Sequence, residues 1–171
     1  VPAHMAGNRE RGVLKRYHAS SMPVGQIVGS QVVVTFVISA ISALVLVAVA
    51  MPLHDVVNPD SLLLVLAGFG LGALAFSAFG VLLGALLPTA RAAQALGVML
   101  WFLMLMVGGA GPPPEVLTGA MSTVGDLTPL RHAVRVMQDG WLSLDAGLSW
   151  LTVGIIFIAS ALLAMRFFRW E

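Results

Sequence analysis

NRERGVLKRYHASSMP, residues 8–23, runs without interruption into VGQIVGSQVVVTFVISAISALVLVAVA, residues 24–50. The first stretch carries Arg9, Glu10, Arg11, Lys15 and Arg16 in a chain that is only 10% charged, and the second carries no charge. A basic cluster set flush against so long an apolar run marks a cytoplasmic segment entering a bilayer. On a helix advancing about 100° per residue, Val13, Leu14 and Tyr17 fall on one side, with Arg11, Lys15, Arg16 and His18 around the rest. Glu10 breaks the pattern by pointing from the first turn into the apolar face. Two readings follow. Glu10 is a first-turn carboxylate favoured by the helix dipole, with the basic residues anchored at headgroups. Otherwise the helix docks on a soluble partner, with Glu10 and the basic face as contacts.

The composition agrees with a membrane chain. Its 171 residues are 58% hydrophobic, with a mean hydropathy of +0.95, and a soluble domain of this length needs far more polar surface. The expectation is an all-α, polytopic bundle. Apolar runs at 24–50, 61–87, 92–107 and 147–165 are each long enough to span about 30 Å of hydrocarbon. The third is the shortest and borrows Gly108–Ala110, which puts the spans at about 24–50, 61–87, 92–110 and 147–165. Residues 1–23 read as a cytoplasmic segment and 24–171 as the transmembrane domain. A net charge of +1 leaves no broad basic surface for nucleic acid, and the absence of cysteine removes disulfides and thiolate chemistry. The opening residues carry no cleavable signal peptide, and Val1 in place of Met reads as a truncation.

Charge orients the bundle. With a cytoplasmic N-terminus, the inside holds Arg9, Arg11, Lys15, Arg16, Arg91, Arg166 and Arg169, whereas the outside holds only Arg131 and Arg135. The positive-inside rule then puts both termini in the cytoplasm. Gly68/Gly72 and Gly80/Gly84 in the second run are spaced for close helix approach within the bundle. Pro23, Pro52, Pro88 and Gly108 read as span boundaries, and Thr89 as the N-cap of the third span. The outer stretch 111–146 reads as two short amphipathic helices lying in or dipping into the interface. One begins at Pro114-Glu115, with Val116, Leu117, Ala120, Met121 and Val124 on one side. The other is capped by Thr128, opens at Pro129 and ends at Gly140, and Trp141 and Trp150 flank the re-entry point.

What is missing narrows the function. No span contains an ionisable residue, so no proton relay or ion-coupling carboxylate is visible within the runs. There is no phosphate-binding loop, and His4, His18, His54 and His132 have no metal-ligand spacing. His132 reads as an interfacial histidine. Nothing assembles into nucleophile, base and orienter. The chain therefore reads as a non-enzymatic bundle with no energy source of its own.

Arg9-Glu10-Arg11-Gly12-Val13-Leu14-Lys15-Arg16, with Met22-Pro23 before a span, resembles the coupling-helix region of ABC-2 type transporter permeases. Pro129-Leu130-Arg131-His132, with Gln138 six residues on, resembles their signature between the fifth and sixth spans. The resemblance covers essentially the whole chain as the C-terminal four-span portion of a six-span permease, with two spans expected ahead of it. Gly111-Pro112-Pro113-Pro114 and the long spacing to Pro129 depart from the family pattern, which bears on the geometry of the outer helices.

The resemblance implies a half-transporter in a bacterial inner membrane, paired with a second permease copy and an ABC ATPase subunit. Glu10, Arg11, Gly12, Lys15 and Arg16 would be the ATPase contacts, and Pro129, Leu130, His132 and Gln138 the outer motif. The permease itself would need no cofactor, since ATP binds the partner. The implied cargo is a drug or antibiotic, a lipid or a polysaccharide, with the bare spans favouring an apolar or amphipathic compound. The competing reading is a non-transporting membrane anchor whose basic helix recruits a soluble protein.

Overall fold

The structure is a computed structural model, and it describes residues 3, 6–7, 23–54, 58–112 and 116–167. The described chain is all-helical. In order it comprises α1 (Val24–His54), α2 (Leu62–Leu86), α3 (Ala90–Val107), α4 (Gly119–Asp126), α5 (Pro129–Leu142) and α6 (Gly147–Arg166). Of these α1, α2, α3 and α6 are long and apolar enough to cross a membrane. The bundle is therefore a four-span polytopic one, with α4 and α5 as a cap between α3 and α6.

Helix α2 is the axis of the fold. Ser61 opens it, its side chain accepting from the Leu64 amide at 3.4 Å, and the extended Leu87 ahead of Pro88 closes it. Its buried positions are mostly small, Gly68, Gly72, Ala75, Ala78, Gly80 and Gly84 among them. In a bilayer, helix association rests on close packing, so this face admits neighbours on several sides at once. Ala78, Val81 and Leu82 meet Ile27, Val28 and Val32 of α1 and Ala164 of α6. Ala75 meets Val136 of α5 and Val153 of α6.

Helix α1 touches this core only near its start. Beyond Phe36, whose ring centroid lies 6.4 Å from that of Phe69, every Val, Ile and Leu from Val37 to Val49 is 37% to 69% exposed. Pro52 does not end α1 but lies within its last turn. Helix α3 is also peripheral, Ala93 being its one buried residue, and Thr89 caps it by accepting from the Ala92 amide at 3.1 Å. It stops at Val107, with Gly108 as C-cap, so Gly108–Ala110 do not lengthen the span.

The cap differs from expectation in its limits. Helix α4 starts at Gly119, with Thr118 at the N-cap position, so Val116 and Leu117 precede it; residues 113–115 are outside those described. Thr128 occupies the N-cap of α5, but its hydroxyl donates back to the Gly125 carbonyl at 2.7 Å and makes no capping bond. Helix α5 continues past Gly140 to Leu142, ending on Ser143 in the left-handed region with φ 50°.

Candidate functional site

Helix α5 lies antiparallel against α2, and three near contacts give the register. A Cβ on Gly140 would stand 2.5 Å from the Val65 nitrogen, one on Gly68 would stand 2.8 Å from Val136 Cγ1, and one on Gly72 would stand 3.7 Å from Ala133 Cβ. Deeper still, Pro129 shares a small apolar gap with Ala75, Phe76 and Phe79. The upper end is pinned by backbone bonds from Asp60 and Ser61 to the Trp141 and Gly140 carbonyls, at 3.4 and 3.0 Å. Ser143 adds a side-chain bond to Asp60 at 2.9 Å, and the Trp150 indole donates to Asp139 at 2.8 Å. Helix α5 is thus re-entrant. Arg131, between Pro129 and Ala133, comes level with residues 73–74, the midpoint of α2.

This placement corrects the reading from apolar runs alone. The runs carry no charge, but the cap brings a charged cluster down beside the middle of a span. Arg131 is buried, its side chain 8% exposed, with Nε 3.0 Å from Asp126 Oδ1 and Nη2 donating to Ser122 Oγ at 3.4 Å. The Nε contact is off-line for a hydrogen bond, and Nη1 makes none within the described residues. Nη1 faces Gly125, where a side chain would collide with both Arg131 and the Val107 carbonyl. The guanidinium therefore sits by the C-terminal end of α3, the negative end of its dipole. Arg135 Nη2 donates to the same Asp126 Oδ1 at 2.8 Å, so one carboxylate serves two guanidinium groups.

His132 fastens the cap to the spans. Its Nε2 is 3.0 Å from the Asp126 carbonyl, which only accepts, so Nε2 donates; its Nδ1 is 3.2 Å from the buried Ser149 of α6. Pro129 is the first residue of α5, where its missing amide costs nothing. Leu130 packs against Gly108 at the end of α3. Gln138 lines a groove between α1, α2 and α5, and Arg131, not named in the outer motif's contact set, proves its most buried charged member. Glu10, Arg11, Gly12, Lys15 and Arg16 lie outside the described residues.

Two apolar grooves flank α2. One, of about 500 Å³, is lined by Phe69, Phe76, Val134, Met137 and Trp141, with Ser39 and Gln138 as polar members. The other, of about 580 Å³, lies between α2 and α3 with Ala3 of the N-terminal stretch also in its wall, and is lined by Phe79, Leu83, Trp101, Met104 and Leu105, with Gln94 as a polar member. Both fall in the range of small-molecule sites. Phe76 and Leu130 border both grooves, and no charged side chain among the described residues lines either. No group of three or more metal-ligating side chains occurs among the described residues.

Sequence reasoning missed Asp126, Ser149 and Phe76. Asp126 is one polar residue in a polar loop, and nothing in its neighbours marks it as the partner of two arginines. The stripe Leu130, Val134, Met137 and Trp141 was readable as a helix face, but what it faces was not.

Residues 3–142 match the model of the ABC-2 type transporter family. That span takes in the basic opening stretch, the first three membrane helices and the whole cap. Comparison with curated proteins and with solved structures returns no match. With a matching family model over most of its length, four apolar spans and a cap between the last two, the chain belongs to the ABC-2 type transporter family and is the membrane permease component of an ABC transporter, a family that works with an ABC ATPase subunit.

Proposed function

We propose that the permease exports an apolar or amphipathic compound across a bacterial inner membrane, in the manner of an efflux or antibiotic-resistance pump. Two copies pair, and each is driven by a separate ATPase that alone binds ATP. The observation that carries this reading is the pair of apolar grooves beside α2, sized for small molecules and lined by no charged side chain among the described residues. A carrier driven by protons or sodium places a titratable group in its substrate path. Here no ionisable group among the described residues lines either groove.

In this reading both termini are cytoplasmic and the cap faces outward. The stretch around Glu10, Arg11, Gly12, Lys15 and Arg16 receives movement from the ATPase, and Glu10 accepts charge-assisted hydrogen bonds from that partner. Phe76 and Leu130, shared by both grooves, sit where displacement of α5 or α3 changes the width of each.

The test uses the complete transporter with its ATPase in liposomes. Apolar compounds are expected to raise ATP hydrolysis, and Glu10→Gln to abolish that rise while expression and membrane insertion stay normal. A permease that binds the ATPase but never changes its turnover, whatever compound is added, is an anchor and not a pump.

A further inference from the structure

The flanks of α5 differ in what they meet. Asp126 and Arg135, beside the buried Arg131, are 48% and 43% exposed on their side chains. Ionisable groups at membrane depth face the bundle interior or a water-filled cavity and not hydrocarbon, so that flank faces water. Another flank presents Leu130, Val134, Met137 and Trp141 to the groove of about 500 Å³ between α1, α2 and α5, with Gln138 at the edge of this stripe.

Two polar side chains reach this apolar groove, one from α1 and one from α5. On α1, Val32, Phe36 and Ser39 form one stripe. Val32 is buried against α2, Phe36 meets Phe69, and Ser39 follows where α1 leaves α2. On α5, Gln138 stands between Val136 and Gly140, which meet α2 at Gly68 and Val65. Because α1 and α5 both run antiparallel to α2, Ser39 and Gln138 come to about the same level, toward the Leu62 end of α2. Gly68, Gly72 and Ala73 leave the space over α2 open.

The other hydroxyl residues of α1, Ser30, Thr35 and Ser42, each donate back to a carbonyl of the preceding turn at 2.8 to 2.9 Å. The Ser39 hydroxyl makes no such bond, and neither it nor the Gln138 amide has a hydrogen-bond partner among the described residues. An unpaired hydroxyl or amide in an apolar setting is costly, and a molecule that pairs with it relieves that cost.

Resting on the transport reading above, we propose that this groove binds an uncharged cargo with an aromatic body and one carbonyl group, which accepts from the Gln138 amide and the Ser39 hydroxyl. Phe69, Phe76 and Trp141 take the aromatic body. No charged side chain among the described residues lines the groove, so a carboxylate entering it loses water and gains no counter-charge.

The test measures cargo-stimulated ATP hydrolysis by the assembled transporter in liposomes, with photolabelling alongside. The probes share one naphthyl-alkyl skeleton bearing a diazirine and end in a dimethylamide, an isopropyl group or a carboxylate. Gln138→Leu is expected to raise the amide concentration for half-stimulation about fivefold, the worth of one ordinary hydrogen bond, and to leave that of the isopropyl probe unchanged. Ser39→Ala should move the amide the same way by less. The amide should label residues 134–141 of α5, and the carboxylate should be the weakest of the three. An amide response that neither substitution shifts overturns the inference while leaving the transport reading intact, as does a carboxylate as potent as the amide. An equal shift of the amide and isopropyl probes makes Gln138 structural and overturns it too. Amide labelling of residues 134–141 in a transporter whose ATP hydrolysis no probe alters leaves the site standing and overturns the transport reading.

Discussion

Helices α1 and α5 reverse the usual link between hydropathy and burial. The α1 segment is the most hydropathic of the spans, yet of its described side chains only Ile27, Val28 and Val32 are buried. Helix α5 carries Arg131, His132, Arg135 and Asp139 but lies along α2 with Arg131, Val136 and Gly140 buried. In water the apolar helix would form the core and the charged one would face solvent. In a bilayer lipid is as apolar as leucine, so hydropathy says which helix meets lipid, not which helix packs. Packing follows shape: Gly68, Gly72 and Gly140 bring α2 and α5 together, and branched Val37 to Val49 have no such partner among the described residues.

The sharpest way to break this comparison is to fill the seam. Gly140→Val places a branched side chain where the backbone at Leu64 and Val65 already stands within 2.8 Å of a single added carbon. Backbone cannot move aside as a flexible side chain does, so a loss of roughly 3 kcal/mol or more is expected. Thermal unfolding of the purified protein in detergent checks it; a midpoint within a degree of the parent would mean that α5 does not lie against α2.

A smaller effect is expected at the charged cluster. Asp126→Asn leaves Arg131 and Arg135 with no counter-charge. The full cost of stripping a buried pair is about 3–5 kcal/mol, but Asp126 is half exposed and its interactions are screened, so about 1–3 kcal/mol is expected. Arg131→Met in the same background should recover part of the loss, since it removes the stranded charge. Absence of any recovery in this double-mutant cycle would place Asp126 outside the influence of Arg131.

Next in size is the bridge between cap and span. His132→Ala removes the contacts to the Asp126 carbonyl and to Ser149, and a loss of about 1–2 kcal/mol is expected from leaving Ser149 without its partner. Ser149→Ala alone should cost less, and the pair together should cost less than their sum. Strict additivity would show that the two groups do not interact. Smallest of all, Leu46→Ala on α1 should change stability by less than about 0.5 kcal/mol, because the side chain is 69% exposed.

The legible part of the fold was that set by solvent. Bilayer thickness fixes the length of an apolar run, so the four spans and the Thr89 cap could be read from residues alone. The glycine pairs announced close packing but not the partner, since Gly68 and Gly72 receive α5, not another span. Pro52 misled because a proline within the last turn of a long helix need not end it when the helix still spans with residues to spare. The depth of the charged cluster was hidden for a deeper reason. Arg131, Arg135 and Asp126 lie between two apolar runs, and run-based reading assigns everything between spans to the outside. Only the register of α5 against α2 carries them down, and that register is written in pairs such as Gly140 with Val65, seventy-five positions apart.

The most direct test is therefore of depth and solvent on the two helices. The chain has no native cysteine, so single nitroxide labels can be placed at Arg135 of α5 and at Leu46 of α1 in the membrane-embedded transporter. Relaxation by dissolved oxygen reports lipid, and relaxation by a water-soluble nickel complex reports water. The account predicts strong nickel relaxation at Arg135 despite its depth, and oxygen relaxation with almost none from nickel at Leu46. Lipid-like behaviour at both labels would contradict a wet, charged face on α5. So would a label at Arg135 as shallow as one at Ser143, because α5 would then lie on the membrane surface and not within it.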